Sequence, residues 1–256
     1  MRIISKKSCF QALTFAAAIS PIAWSRPSDA MLVTPLVAEM QSTGGKNRTI
    51  VRVTNDAAQP LPIEFKFSNI EVDENGVSTF TPADGDFKIF PQRSIIDPGK
   101  SQVFQVQFVS KSPLEKSKNY TLAVNQLAVK FPKSTTGVQV VYNMSVILNV
   151  SPPNAEGTLQ VVSSAVTRDS KGKERPQLIL QNSGNRHVNL ADTTINLTGG
   201  KWSKVLTSFD LKQLIGVGLV QAGKRRKFVL PIDLPPGVTS MNATIDTGLT
   251  ASALSR

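Results

Sequence analysis

The chain has 256 residues, a formal charge of +11, 40% hydrophobic and 18% charged residues, which suits one large or two ordinary domains and excludes a disordered or collagen-like chain. No tract of eighteen apolar residues follows the first thirty positions, so a multi-span helical membrane protein is excluded. One Cys and one His leave no internal disulfide, no common structural zinc site, and His187 as the single histidine base available to a hydrolase.

Arg2, Lys6 and Lys7 form a basic head, Phe10 to Trp24 is mostly small and apolar, and Ser28-Asp29-Ala30 places small residues where a signal peptidase reads. Residues 1–30 therefore read as a cleaved signal peptide, with Met31 as the mature start. The apolar stretch is short for a membrane anchor and is broken by Pro21. Cys9 leaves with the leader, and so do four basic residues and one acidic residue, which takes the charge from +11 to +8. The remaining cations are dispersed. Their two clusters, Lys171 to Arg175 and Lys224 to Lys227, lack interleaved aromatics and read as solvated hairpin tips, not as a nucleic-acid surface. The excess charge fits an anionic surface or a soluble basic protein.

Along the mature chain, apolar residues recur at spacing two in short runs divided by turn residues, the pattern of an all-β protein. The runs are Met31 to Met40, Thr49 to Thr54, Leu61 to Ile70, a weaker one at Ser78 to Phe80, then Gln102 to Val109, Tyr120 to Val129 and Gly137 to Val150. Gly44-Gly45, Asn55-Asp56, Asn75-Gly76, Asp84-Gly85 and Asp97-Pro98-Gly99 supply the turns between them. About seven strands in this length is the count of an immunoglobulin-like sandwich, placed at residues 31–151.

Pro152 to Gly157 is the strongest linker in the chain, since two prolines cannot continue a central strand. Residues 158–256 repeat the β style with weaker runs at Thr158 to Val166, Gln177 to Gln181, His187 to Thr198, Lys227 to Ile232 and Met241 to Asp246. They read as a second, smaller sandwich. Ser208 to Val220 is open between strand and short helix, because Phe209, Leu211, Leu214 and Ile215 have helical spacing while Gly216 and Gly218 oppose a long helix.

Gly137 to Val150 is the most informative run. Val138, Val140, Tyr142, Met144, Val146, Leu148 and Val150 share one face of a strand about 45 Å long, well beyond the usual five or six residues. The opposite face mixes Gln139, Asn143, Ser145 and Asn149 with Val141 and Ile147.

The secreted start, Asn55-Asp56, Phe90-Pro91 followed by Asp97-Pro98-Gly99-Lys100, the Tyr120 to Val129 strand, and the alternating run ending at Pro152 come in an order that resembles the periplasmic pilus chaperones of the chaperone-usher pathway. The resemblance implies two immunoglobulin-like sandwiches in a boomerang with a cleft between them, in the periplasm, without enzymatic activity or cofactor. It implies that the last strand of the first domain is lent to a pilus subunit whose sandwich lacks its final strand, with Val138, Val140, Tyr142, Met144 and Val146 filling the subunit's groove. It further implies delivery to an outer-membrane usher. The family's basic pair for the subunit's C-terminal carboxylate is missing: Ile147 occupies the Lys position and Met31 to Met40 holds no Arg. Arg52, Arg93 and Lys130 are the substitute candidates, and the departure marks a divergent branch.

The alternative is a secreted two-sandwich structural or adhesive protein; a secreted hydrolase is the third class. His187 beside Arg186 is expected as a partly exposed hairpin residue, with no serine in a nucleophile-elbow context. Asp73, Glu74, Asp84 and Asp86 match no calcium loop, and Gly199-Gly200-Lys201 lacks the rest of a phosphate-binding loop. Trp202 reads as a core or rim residue, and neither small-molecule substrate nor nucleic acid is expected as a partner.

Overall fold

The computed structural model describes residues 31–110, 112–128 and 141–247. Residues 1–30, expected as a leader and including Cys9, lie outside the described residues, as do Lys130, Val138 and Val140.

The first sandwich uses ten strands. These are β1 (Met31–Thr34), β2 (Val37–Gln41), β3 (Arg48–Asn55), β4 (Leu61–Val72), β5 (Ser78–Pro82), β6 (Phe87–Phe90), β7 (Arg93–Ile96), β8 (Ser101–Phe108), β9 (Lys118–Gln126) and β10 (Asn143–Ser151). One sheet runs β1-β3-β8-β6; the other runs β2-β10-β9-β4-β5, with β7 also on β4. The expected continuous strand from Met31 to Met40 is broken at Pro35, whose missing N–H ends the first ladder. The chain there changes sheets: β1 pairs antiparallel with β3, and β2 pairs parallel with β10.

Alternation sends Val51, Val53, Phe104 and Val106 inward from one sheet to meet Ile63, Leu122, Val124, Val146 and Leu148 from the other, all of them almost wholly buried. Phe87 stacks on Phe67 at 4.6 Å and meets Tyr120 edge-on at 4.9 Å. The Tyr120 hydroxyl donates to Asp86 at 3.0 Å, and burial together with that carboxylate pushes the phenol above its ordinary range. Asn55 ties two of the sequence motifs together. Its side-chain amide donates to Ile96 and Gln59 carbonyls at 2.8 Å each, while its backbone carbonyl accepts from the Gly99 N–H at 2.8 Å.

The second core lies between β11 (Leu159–Arg168), β12 (Glu174–Asn182) and β17 (Arg225–Val229) on one side and β14 (Thr194–Gly199), β15 (Trp202–Leu206) and β18 (Asn242–Asp246) on the other, with a short β13 (Val188–Asn189) and β16 (Leu219–Val220) pair. Leu178, Leu180, Ile195, Leu197 and Leu206 fill it, and Trp202 packs half-buried against it. The open segment resolves as a helix, α1 (Ser208–Ile215), because Thr207 and Asp210 form a reciprocal capping box and Gly216 ends it at a positive φ of 65°. The expected run from His187 to Thr198 is interrupted by a 3-10 turn at Leu190–Asp192.

The two basic clusters differ. Lys171 and Lys173 sit in the β11–β12 turn closed by Asp169, as a hairpin tip should. Lys224 to Lys227 is no solvated tip. Lys224 pairs with Glu71 of the first domain at 2.6 Å, the Lys227 N–H donates to the Glu74 carbonyl at 2.7 Å, and half-buried Arg226 lies against Gly76 and over the Phe228 ring. Sequence periodicity places this segment beside a strand but says nothing of the neighbouring domain that covers it.

Candidate functional site

Strand β10 pairs antiparallel with β9 from Asn143 to Val150 and parallel with β2 from Ile147 to Ser151, so among the described residues its Asn143 to Val146 part is paired with β9 alone. Its even-numbered side chains face the first core. Val146, Leu148 and Val150 are completely buried, while Met144 and Tyr142 are only partly buried against the same core. The row therefore leaves the core gradually as it approaches residue 141. Pairing persists to this point: the Gln126 N–H donates to the Tyr142 carbonyl at 3.0 Å, and the Tyr142 N–H donates to Gln126 Oε1 at 3.0 Å. Of the five expected donor residues, Tyr142, Met144 and Val146 lie together on this row; Val138 and Val140 continue its alternation in sequence.

Of the anchor candidates, Arg52 is exposed on the outer face of the four-stranded sheet, next to Thr34 and Val103. Arg93 is exposed on β7 opposite Glu64. Neither lines the space between the domains.

At the other end of β10 the odd-numbered face, which should meet solvent, is buried by the second domain. Glu39, Asn149 and Asn119 stand side by side across β2, β10 and β9. Asn119 donates to Asn149 Oδ1 at 2.7 Å, and Asn149 donates to Glu39 Oε1 at 2.7 Å. The second domain grips both ends of this row. Gln221 Nε2 reaches Asn119 Oδ1 at 3.1 Å and the Ile70 carbonyl at 2.8 Å, while Gln221 Oε1 accepts from the Val72 N–H at 2.8 Å. At the far end His187 Nε2 lies 3.0 Å from Glu39 Oε1, and Arg186 donates to Glu39 Oε2 at 3.2 Å. His187 also donates its backbone N–H to Ser117 Oγ at 2.7 Å.

The expectation for His187 is thus corrected: it is buried at the domain junction, 4% exposed, because the first domain covers the hairpin that carries it. A ring held against Glu39 and a backbone tied to Ser117 make it a structural residue. Burial alone would raise the Glu39 pKa, but the hydrogen bond and charge of His187, the Asn149 amide and Arg186 together hold it down to about 2. The three amides donate in one direction toward a single carboxylate, the arrangement in which hydrogen bonds polarise one another.

A cavity of about 620 Å³ opens beside this junction, between Val37 and Glu39 of β2, Glu156 and Gly157 of the connecting segment, and Arg186 and Asp192 of the second domain. Arg186 is the only arginine or lysine among its lining residues. The backbone packs tightly here: a Cβ at Gly184 would collide with the Glu156 carbonyl. Glu39, Asn119, Asn149, Arg186 and Gln221 were missed by sequence reasoning as a group. The one available signal was Asn149, a polar residue three positions before Pro152 in an apolar run.

The acidic residues weighed for calcium serve local structure. Asp73 Oδ1 accepts from the Val77 N–H, Asp84 Oδ1 from the Phe67 N–H, and Asp86 from Tyr120.

No protein-family model and no curated sequence matches the chain. Its fold is that of the fimbrial chaperones. A Class 5 fimbriae chaperone, CfaA, superimposes with a TM-score of 0.53 at 15% identity, covering 85% of this chain and 98% of that one. The chaperone YadV gives 0.53 at 14% identity, covering 84% and 91%. A chain from the complex of Salmonella enterica SafA pilin with the SafB chaperone gives 0.52 at 12% identity, covering 81% and 86%. At such identities the likeness carries the two-sandwich architecture and no individual residue.

Proposed function

We propose that this protein is a periplasmic, non-enzymatic chaperone that holds pilus subunits by lending them the strand leading into β10, then passes them to an outer-membrane usher. The observation that carries the reading is the apolar row on β10, which fills the first core at Val150, Leu148 and Val146, emerges at Met144 and Tyr142, and continues in sequence to Val140 and Val138. A subunit sandwich missing its final strand exposes an unpaired edge and an apolar trench, and one strand with every second side chain apolar covers both. Each large aliphatic side chain so buried contributes roughly 1.5 to 3 kcal/mol before ordering costs are subtracted. Exchange of this strand for a subunit's own extension would need no covalent chemistry.

For the subunit's C-terminal carboxylate, Arg186 is already paired with Glu39 in a cavity that also presents Glu156 and Asp192, which leaves Lys130, four residues beyond the end of β9 in sequence, as the candidate. Arg52 and Arg93 face solvent elsewhere.

The test is affinity capture by the tagged mature protein from a periplasmic extract of its own host, repeated with a variant carrying Val140→Asp and Tyr142→Asp. The chaperone reading expects a stoichiometric partner of about one sandwich domain, lost in the variant while the variant's circular dichroism stays that of the parent. A folded variant that retains the partner refutes strand donation. Capture of nothing, with adhesion to a surface instead, supports a structural or adhesive protein.

A further inference from the structure

The basic excess of the chain has no part in the reading above, and its distribution over the first domain is uneven. Strands β1, β3, β6 and β8 contain no Asp or Glu. Their inward side chains build the core, so everything else they carry stands on one outer face of the four-stranded sheet. The registers arrange that face in cross-strand rows: Arg48, Gln107 and Lys88; then Ile50, Gln105 and Phe90; then Thr34, Arg52 and Val103; then Leu32, Thr54 and Ser101.

Three cations and four apolar side chains are therefore interleaved on one surface. Phe90 is 76% exposed, Ile50 58%, Leu32 50% and Val103 39%. Arg48, Arg52 and Lys88 form no ion pair among the described residues. Arg48 and Arg52 are separated by about 13 Å along their strand, and Arg48 and Lys88 by about 10 Å across the sheet. The face is open: Arg48, Ile50, Arg52, Lys88, Phe90 and Gln105 are all exposed.

We propose that this outer face docks the protein onto an anionic lipid surface. Spread cations on strands that carry no acidic residue complement a plane of negative headgroups, and long Arg and Lys stems let the charges reach phosphates while Phe90, Ile50 and Leu32 enter the interfacial layer. A specific protein partner would be expected to use a groove or a strand edge, and this face offers neither at its centre. Strand β10 belongs to the opposite sheet, so the docked protein keeps its donor row free. The proposal does not depend on subunit capture and is tested without it.

The experiment is vesicle flotation of the mature protein with phosphatidylcholine alone and with phosphatidylcholine containing phosphatidylglycerol. Binding to the anionic vesicles only is expected, weakening as salt shortens the Debye length from about 10 Å at 0.1 M. Each cation removed should lower the partition coefficient about fivefold. A variant with Arg48→Gln, Arg52→Gln and Lys88→Gln, all exposed positions, should lose binding. A control with Lys171→Gln, Lys173→Gln and Lys201→Gln, which removes the same charge from the second domain, should keep it. Phe90→Ser should weaken the part of binding that survives high salt. No binding by the parent, equal loss in both triple variants, or full binding by the face variant would each overturn the proposal; the last would send the search to an acidic protein partner or to another face.

Discussion

Replacing Asn149 by Ala should loosen the grip between the domains while leaving both hydrophobic cores filled. Asn149 is fully buried, donates to Glu39 at 2.7 Å and accepts from Asn119 at 2.7 Å. Removing its amide leaves Asn119 Nδ2, also fully buried, without an acceptor, at a cost of about 1–3 kcal/mol. It also removes a hydrogen bond to a carboxylate, usually worth about 1.5–3 kcal/mol; the low end applies because the Glu39 side chain is 42% exposed and water can replace the amide. The sum is about 3 kcal/mol, or a fall of about 6–12 °C in melting temperature for a chain of this size. Urea unfolding and thermal melts of the mature protein measure it, with exposed Ser145→Ala as a control expected to stay within about 0.5 kcal/mol. A double-mutant cycle with Gln221→Ala should give a coupling of at least about 0.5 kcal/mol, because Asn119 lies between the two residues. A loss below about 1 kcal/mol for Asn149→Ala, or strict additivity with Gln221→Ala, would refute the continuous chain.

Three further outcomes follow from the same geometry. The Glu39 pKa is lowered in the folded protein from an ordinary value near 4.5 to about 2, so its ion pairing stabilises fully above pH 4.5 and is lost as pH falls from 4.5 toward 2; Glu39→Gln should flatten the stability profile in that window in urea titrations. Gly184→Ala should lower the melting temperature by at least the equivalent of about 1–3 kcal/mol, since the new methyl meets backbone and not a flexible side chain. Leu148→Ala, at a fully buried position of β10, should cost about 2–5 kcal/mol in the same unfolding assay.

The all-β architecture and its two-core division were legible because strand alternation is a local signal: Val51, Val53, Phe104 and Val106 alternate in sequence as they do in the core. The short strands β6 and β7 on either side of Pro91 were not, because four residues between turn signals carry too little periodicity. The split of β1 from β2 could have been drawn at Pro35, where the N–H is missing, yet the sheet that each half would join depends on distant partners. Ser208 to Val220 stayed open because Gly216 and Gly218 opposed the helical spacing of its apolar residues; the Thr207–Asp210 capping box settles α1 in the structure. The donor row was readable as an alternating run. The junction network was not, because Glu39, Asn119 and Asn149 become neighbours only through the registers of three strands, and because His187 is covered by a domain that no local pattern can place.

The central claim is that the strand from residue 138 to residue 146 is the one lent to a partner. Hydrogen–deuterium exchange of the captured complex against the free protein tests it most directly. The account expects backbone amides between Val138 and Val146 to gain the strongest protection in the complex, with the exposed outer face of the four-stranded sheet unchanged. Protection confined to other strands, with 138–146 exchanging as in the free protein, would contradict it.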